Sequence, residues 1–213
     1  MQIIKTNFKN PDSKTINQII ETLKKRGVVI YPTDTVYGLG ANALDKKSVN
    51  KIFRIKERSF KKPISIIIKD VEEAKKIAVF SRNVEKILNK IWPGPVTVIL
   101  YKKKIIPDIL TGGSKKVGLR IPDCEFTKQL MEKLDFPLTT TSANISGISE
   151  SANTQDILFQ FKNKKIKPDL VIDAGNLPQS QPSTVIDLTG ARPKILRAGP
   201  VTKNELFKLL NID

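Results

Sequence analysis

Three observations predict an α/β domain built around a sizeable mixed sheet. Apolar strand patterns alternate with helix patterns along nearly the whole chain, which is typical of sheets covered by helices. The 213 residues include 39% hydrophobic and 27% charged side chains, a composition that supports one sizeable core and is unlike a disordered chain. The sequence also has no internal repeat, linker or low-complexity tract. We therefore expect a single domain over residues 1–213.

Elements in the first half of the chain have recognisable ends as well as apolar spacing. Apolar side chains repeat at helical spacing near residues 16–26, with Ser13 as the candidate N-cap and Gly27 at the end. The predicted elements that follow are a strand over 28–31, a helix from Asp45 to about Glu57, a strand over 64–68, and a helix from Ser81 to Trp92.

Strands predominate in the second half of the chain. We predict strands at 96–101, 117–121, 136–140, 170–174, 184–188 and 194–197. Helices are predicted near 124–134 and 154–161, and a capping box of Thr202 and Glu205 begins a last short helix.

Missing residue types exclude several classes of enzyme. The chain has no histidine, which excludes Ser-His-Asp and Cys-His catalysis and zinc sites that contain histidine. Its single cysteine, Cys124, excludes an internal disulfide and fits a reducing compartment. No apolar run is long enough to span a membrane, and no signal-peptide pattern begins the chain. We therefore expect a cytoplasmic protein. The sequence assigns no side chain to a metal, and any metal would be a hard cation such as Mg²⁺, brought in with a nucleotide.

The net charge of +16, from 37 basic and 21 acidic residues, favours ligands that carry phosphate, including nucleic acids. Part of this charge has a plainer explanation, because the chain is rich in lysine and runs such as 102–104 resemble solvated loops. The arginines are more informative, since several of them lie in segments marked by glycine or proline.

Two segments place polar side chains where predicted elements end. Residues 31–41, YPTDTVYGLGA, leave a buried strand and turn through glycines beside hydroxyls and a carboxylate; this is a ligand-facing loop or a plain turn capped by Thr and Asp. Arg54 and Arg58 lie four residues apart, which would put them on one face of a helix near its end, so both guanidinium groups would converge on one anion. Lys56 and Lys62 would add positive charge to this anion site. The alternative to an anion site is a basic helix end that is exposed to solvent.

Later segments supply a buried charge and many neutral donors. Arg120 lies in an otherwise apolar strand, where an unpaired charge is costly, so it must meet a carboxylate of the protein or of a substrate. Residues 139–147 form a dense patch of hydroxyls and amides that suits phosphate oxygens and a sugar. Ser183 and Arg197 add a hydroxyl and another guanidinium group at strand ends.

Seven ordered motifs carry a resemblance to a known family. They are YPTDTVYGLGA, KxR followed by KP, WPGPVT, GLRIPD, TTSANISG, PSTVID and ILRAG. Together, from about residue 15 to about residue 200, they resemble the threonylcarbamoyl-AMP synthases, the YrdC/Sua5-type enzymes of transfer-RNA modification. Each motif alone is weak, whereas their order and spacing are specific.

The resemblance implies a twisted sheet with a deep, positively charged cavity on one side. It implies a reaction of L-threonine, bicarbonate or carbon dioxide, and ATP with Mg²⁺, which gives threonylcarbamoyl-AMP and pyrophosphate. Partner proteins would then transfer the threonylcarbamoyl group to adenosine 37 of transfer RNAs that read codons beginning with A. The residues implied to surround threonine are Thr33, Lys62, Arg120, Thr140 and Ser183. Those implied to hold the nucleotide are Arg54, Lys56, Arg58, Lys116, Ser142, Asn144 and Arg197.

No covalent intermediate is needed for this chemistry, because a confined amine attacks carbon dioxide unaided and the carbamate then displaces pyrophosphate. We predict that Lys56 and Arg58 stabilise the charge that develops on the phosphates and that Arg120 binds the threonine carboxylate. The chain departs from many relatives at Ser59, where they have proline, and at Lys62, where some have His or Asn. It resembles the short, single-domain type.

Two other functions remain open from the sequence. The same basic concavity would suit an RNA-binding module for double-stranded RNA or transfer RNA that performs no chemistry. A related branch of the family would form a carbamoyl adenylate, as in hydrogenase maturation, and would use carbamoyl phosphate instead of threonine.

Overall fold

The computed structural model describes residues 1–178 and 180–210. Residues 211–213 of the predicted domain 1–213 lie outside the described residues, as does position 179. The strands are β1 (Gln2–Lys5), β2 (Val29–Tyr31), β3 (Gly38–Gly40), β4 (Ser65–Ile67), β5 (Ala78–Val79), β6 (Val96–Lys102), β7 (Lys116–Arg120), β8 (Leu138–Ser142), β9 (Leu170–Asp173), β10 (Thr184–Asp187) and β11 (Lys194–Arg197). The helices are α1 (Ser13–Lys24), α2 (Lys46–Lys56), α3 (Val71–Ile77), α4 (Arg82–Ile91), α5 (Asp108–Thr111), α6 (Glu125–Lys133), α7 (Thr154–Phe161) and α8 (Lys203–Leu210).

The described strands form one twisted, mixed sheet in the order β1-β9-β2-β3-β8-β4-β7-β6-β10-β11, with β5 added beside β6. Parallel pairs such as β4 with β7 and β6 with β10 lie next to antiparallel pairs such as β3 with β8. Helices flank the sheet, so the predicted fold class is confirmed.

Each central strand contributes to two hydrophobic cores, because successive side chains in a strand point to opposite faces. Ile30 and Ile66 belong to the larger core, whereas their neighbours Tyr31 and Ile67 belong to the smaller one. The smaller core also contains apolar side chains of α1 and α6, and the larger core those of α2, α4 and α7. Burial on both faces explains why the strands have continuous apolar runs rather than alternating ones.

Most predicted elements are confirmed, and their ends differ by a few residues. Asp45 and Ser81 cap α2 and α4 as predicted, each through a side-chain oxygen that accepts a backbone N–H. The N-cap of α1 is Asp12 rather than Ser13, because the Asp12 carboxylate accepts the Thr15 N–H at 2.8 Å. Thr202 and Glu205 form the predicted capping box, with the Thr202 N–H donating to Glu205 at 2.8 Å.

The prediction that residues 38–41 turn as a glycine loop is wrong. Gly38 and Gly40 lie in β3, which pairs antiparallel with both β2 and β8. A Cβ atom at Gly38 would lie 2.8 Å from the Tyr31 ring, and one at Gly40 would lie 2.6 Å from it. Glycine is therefore needed for the close approach of an aromatic ring rather than for a turn.

Among the described residues, no helix is both long and apolar enough to cross a membrane.

Candidate functional site

A cavity of about 360 Å³ lies among the loop after β2, the sheet strands and the loop before β10. Its wall contains three arginines, a carboxylate and many hydroxyls. The lining residues are Thr33, Thr35, Val36, Gly38, Arg58, Pro63, Ile64, Ser65, Thr97, Arg120, Thr140, Thr141, Ser142, Glu150, Pro182, Ser183, Val185 and Arg197.

Arg120, at the end of β7, is buried, with 5% of its surface exposed, and hydrogen bonds hold its guanidinium group in place. Its Nε donates to the carbonyl oxygen of Gly94 at 3.0 Å and its Nη1 donates to Thr35 Oγ1 at 3.0 Å. Its Nη2 donates to Asp34 Oδ1 at 2.6 Å, which forms a buried ion pair. Burial lowers the pKa of Arg120, and the Asp34 charge opposes that change. The sequence left open whether the partner of Arg120 is internal or a substrate; the structure supplies an internal carboxylate.

Arg58 reaches the cavity from the loop after α2. The helix ends at Lys56, and Glu57 adopts the left-handed conformation (φ 52°, ψ 40°). The Arg58 guanidinium then donates from Nε to the carbonyl oxygen of Lys62 at 3.2 Å and from Nη2 to that of Pro63 at 2.9 Å. Partial burial lowers the pKa of Arg58. Its own loop thus fixes the guanidinium at the cavity wall.

Another part of the lining is a hydrogen-bonded group of Arg197, Ser183 and Thr97. Arg197 donates from Nε and Nη2 to the Ser183 carbonyl oxygen at 3.0 and 2.8 Å, and from Nη2 to Ser183 Oγ at 3.2 Å. Ser183 Oγ lies 2.8 Å from Thr97 Oγ1. Burial lowers the pKa of Arg197, with the charge of Glu150 opposing that change and the charge of Arg120 adding to it. The two arginines therefore act on the same enclosed space.

Strand pairing brings further hydroxyls to the wall. Ser65 of β4 is in register with Thr140 of β8, and Thr141 and Ser142 continue that strand along the lining. Gly118 of β7 leaves room for side chains of the two strands that flank β7, because a Cβ atom there would lie 2.7 Å from Ser65 Oγ of β4 and 3.2 Å from Thr97 Cγ2 of β6. The wall therefore offers neutral donors and acceptors of the kind that recognise a carboxylate, a hydroxyl or a phosphate.

Lys56 lies behind this wall rather than in it. Its Nζ donates to the carbonyl oxygens of Ser142 and Asn144 and, at 2.8 Å, to Asn144 Oδ1. Asn144 Oδ1 also accepts from Ser142 Oγ at 2.7 Å. Burial, and then the positive charge of Arg58, lowers the pKa of Lys56 to about 7. These contacts fix the loop after β8, and the catalytic and nucleotide-binding roles of Lys56 and Asn144 stay predictions.

Besides Lys56 and Asn144, three more of the residues assigned to ligands from the sequence lie outside the cavity lining. Arg54 is exposed on α2, and the expectation that it shares a helical face with Arg58 is wrong because the helix ends between them. Lys62 contributes its carbonyl oxygen to Arg58. Lys116 donates from Nζ to Asp187 Oδ2 at 2.8 Å. Their roles toward ligands stay predictions, whereas Thr33, Arg58, Arg120, Thr140, Ser142, Ser183 and Arg197 are brought together.

Sequence reasoning missed several lining residues. Ser65 could have been identified from the sequence, since it is a polar residue in a strand that is otherwise isoleucine. Thr97 had a weaker signal, as the residue after a Pro-Gly-Pro-Val turn. Glu150 had no signal, because it lies on an exposed loop whose path across the cavity depends on the whole fold.

A family model covers most of the chain. The Sua5/YciO/YrdC model, described as "Telomere recombination", matches residues 21–199. A relative from Methanocaldococcus jannaschii, named "Putative threonylcarbamoyl-AMP synthase", is 41% identical over 211 residues, which are 97% of each chain.

Two solved structures resemble the fold closely. The Pyrococcus abyssi Sua5 protein, solved in complex with L-threonine, aligns with a TM-score of 0.92 and 33% identity over 98% of this chain and 61% of its own. The chain thus spans less than two thirds of that relative. Escherichia coli YciO aligns with a TM-score of 0.84 and 30% identity, over 93% of this chain and 96% of its own. YciO is described as uncharacterized, so membership in the family does not by itself assign an activity.

Proposed function

The chain belongs to the Sua5/YciO/YrdC family, and from this premise we propose that it is an L-threonylcarbamoyladenylate synthase. It uses L-threonine, bicarbonate or carbon dioxide, and ATP, and it releases pyrophosphate. In the cytoplasm, partner proteins transfer the threonylcarbamoyl group from the adenylate to adenosine 37 of transfer RNA. Supporting this proposal are the relatives that bear the synthase name and the relative solved with L-threonine.

The observation that carries the proposal is the convergence of Arg58, Arg120 and Arg197 on one cavity rich in hydroxyls. Three fixed guanidinium groups suit a ligand set with one carboxylate and several phosphates. Arg120 retains one N–H on each Nη atom for the threonine carboxylate, since three of its five N–H groups have partners among the described residues. In this proposal Arg58 and Arg197, which line the same cavity, bind phosphate oxygens.

Catalysis in this proposal is confinement plus charge stabilisation. The threonine amine attacks carbon dioxide to give a carbamate and a proton. A carbamate oxygen then attacks the α-phosphorus of ATP, a new P–O bond forms, and the bond to pyrophosphate breaks. The arginines stabilise the negative charge that develops on the phosphates, and no step requires a histidine or a thiolate.

Magnesium would enter with the triphosphate, since Mg²⁺ is commonly bound through substrate phosphates and one or two carboxylates. The described residues contain no cluster of three or more side chains that could hold a metal alone. Among the described lining residues, Glu150 contributes the carboxylate that would bind such an ion. When bound, Mg²⁺ neutralises phosphate charge.

The deciding experiment measures pyrophosphate release from ATP and Mg²⁺ with and without L-threonine and bicarbonate. We expect release only when all substrates are present, and a loss of at least 100-fold in kcat/KM for Arg58→Ala and Arg120→Ala. Lys47→Ala, an exposed lysine on α2, serves as the control and should retain full activity.

Other outcomes identify the alternative functions. Release with carbamoyl phosphate in place of threonine would identify a carbamoyl-adenylate-forming enzyme. A folded protein that binds double-stranded RNA or transfer RNA, with salt-dependent affinity and no threonine-dependent release, would identify an RNA-binding module.

A further inference from the structure

We propose that Asp34 is the positioning residue that orients Arg120 toward the substrate carboxylate. This inference rests on the proposed function and adds to it a residue that does not itself line the cavity. Asp34 follows the strand β2 and belongs to the loop that also contributes Thr33 and Thr35 to the lining.

The Asp34 carboxylate uses its two oxygens for two different elements. Oδ1 accepts from Arg120 Nη2 at 2.6 Å, and Oδ2 accepts the backbone N–H of Asp123 at 3.0 Å. The loop after β2, the end of β7 and the residues before α6 are therefore tied together at one carboxylate. The pair is enclosed, because the side chains of Arg120 and Asp34 are 6% and 12% exposed.

The remaining contacts of Arg120 make its orientation depend on Asp34. Nε is fixed by the Gly94 carbonyl oxygen and Nη1 by Thr35 Oγ1, while Nη2 is fixed by Asp34 alone among the described residues. The plane of a guanidinium group is set by such contacts in fixed geometry. With Nη2 anchored, each Nη atom keeps one further N–H with which to bind a substrate carboxylate.

Charge compensation alone is the competing explanation, because any buried arginine needs a counter-charge. The two explanations differ in what they predict for ligands. Compensation predicts a loss of stability that affects both substrates alike, whereas positioning predicts a selective loss of affinity for the ligand that carries the carboxylate.

The test measures L-threonine and ATP binding to the full chain by isothermal titration calorimetry for the wild type, Asp34→Ala and Asp34→Asn. We expect Asp34→Ala to weaken L-threonine binding at least tenfold and ATP binding less than twofold. Asp34→Asn keeps the side-chain volume and an oxygen acceptor for Nη2, so its affinity for L-threonine should lie between the other two.

Asp169→Ala is the matched control, because Asp169 also accepts one backbone N–H, that of Val28 at 2.7 Å, and binds one cation, Lys51 at 2.6 Å, away from the cavity lining. It should leave L-threonine binding within twofold of the wild type.

Three results would overturn the inference. If wild-type protein binds L-threonine and both Asp34 variants bind it within twofold of the wild type, Asp34 does not position Arg120 and the proposed function stands. Equal weakening of L-threonine and ATP would assign Asp34 a general structural role. If the wild type binds no L-threonine, the proposed function fails and the inference fails with it.

Discussion

At the scale of the single residue, the contacts of Lys56 give this lysine a structural role, beside the chemical role that the sequence predicts for it. It is 1% exposed, and its hydrogen-bond partners among the described residues are neutral oxygen atoms of Ser142, at the end of β8, and of Asn144, in the loop that follows. A charge buried in this way is destabilising unless its hydrogen bonds are complete. The segment that it fixes includes Ser142, the last residue of β8, which lines the cavity, so a lysine behind the wall shapes the site.

We predict a pH signature for Lys56 in stability. Burial and Arg58 lower its folded pKa to about 7 from the ordinary value of 10.5. Below about pH 7 both folded and unfolded chains are protonated at this lysine, and the cost of burying the charge is fully present. Between about pH 7 and 10.5 the unfolded chain binds more protons, so stability rises with pH. The wild type should gain about 2 kcal/mol relative to Lys56→Met between pH 7 and pH 9.

Urea denaturation at both pH values measures this difference. Lys47→Met, at the exposed start of the same helix, is the control and should follow the wild type. Parallel curves for the wild type and Lys56→Met would show that Lys56 keeps its ordinary pKa.

At the scale of the element, the hairpin of β10 and β11 carries Ser183 and Arg197 to the cavity. The residues after β11 pack closely against the residues just before β10, and this close packing depends on Gly199. A Cβ atom at Gly199 would lie 2.5 Å from the Thr184 nitrogen and 2.7 Å from the Ser183 carbonyl carbon. Both are backbone atoms, which cannot move aside as the end of a side chain can. The site therefore relies on a glycine that lies outside its lining.

We predict that Gly199→Ala displaces Ser183 and weakens L-threonine binding at least tenfold, with a loss of about 1–3 kcal/mol in stability. Calorimetric titration and thermal unfolding measure the two effects. Gly190→Ala is the matched control, because a Cβ atom there would meet its nearest neighbour, the Arg192 carbonyl oxygen, at 3.6 Å, an ordinary contact. If both variants bind L-threonine as the wild type does, the hairpin does not set the position of Ser183.

At the scale of the whole molecule, the net charge of +16 should favour ATP far more than L-threonine. ATP carries several negative charges, whereas L-threonine is a zwitterion, and its proposed partner Arg120 is buried, where salt screens little. We predict that raising NaCl from 50 to 500 mM weakens ATP binding about fivefold or more and changes L-threonine binding less than twofold. Calorimetric titration at both salt concentrations measures this, and equal salt dependence for the two ligands would contradict it.

The sequence alone determined much about this protein because local signals coincide with the structure. Asp45, Ser81 and the pair Thr202–Glu205 mark helix starts through hydrogen bonds that span only a few residues. Continuous apolar runs identify strands buried on both faces, and the absence of histidine excludes whole classes of chemistry. The ordered motifs identified the family and drew attention to Arg58, Arg120, Ser142, Ser183 and Arg197, all of which line the cavity.

Only the tertiary structure decided how these residues are used, because their partners are far away in the chain. Arg120 pairs with Asp34 across 86 residues, and Lys56 reaches Asn144 across 88. Gly38 and Gly40 look like turn residues until the Tyr31 ring is packed against them. Arg54 and Arg58 do not share a helical face, because one residue between them, Glu57, adopts a left-handed conformation. Such outcomes depend on packing between distant segments, which no local pattern in the sequence encodes.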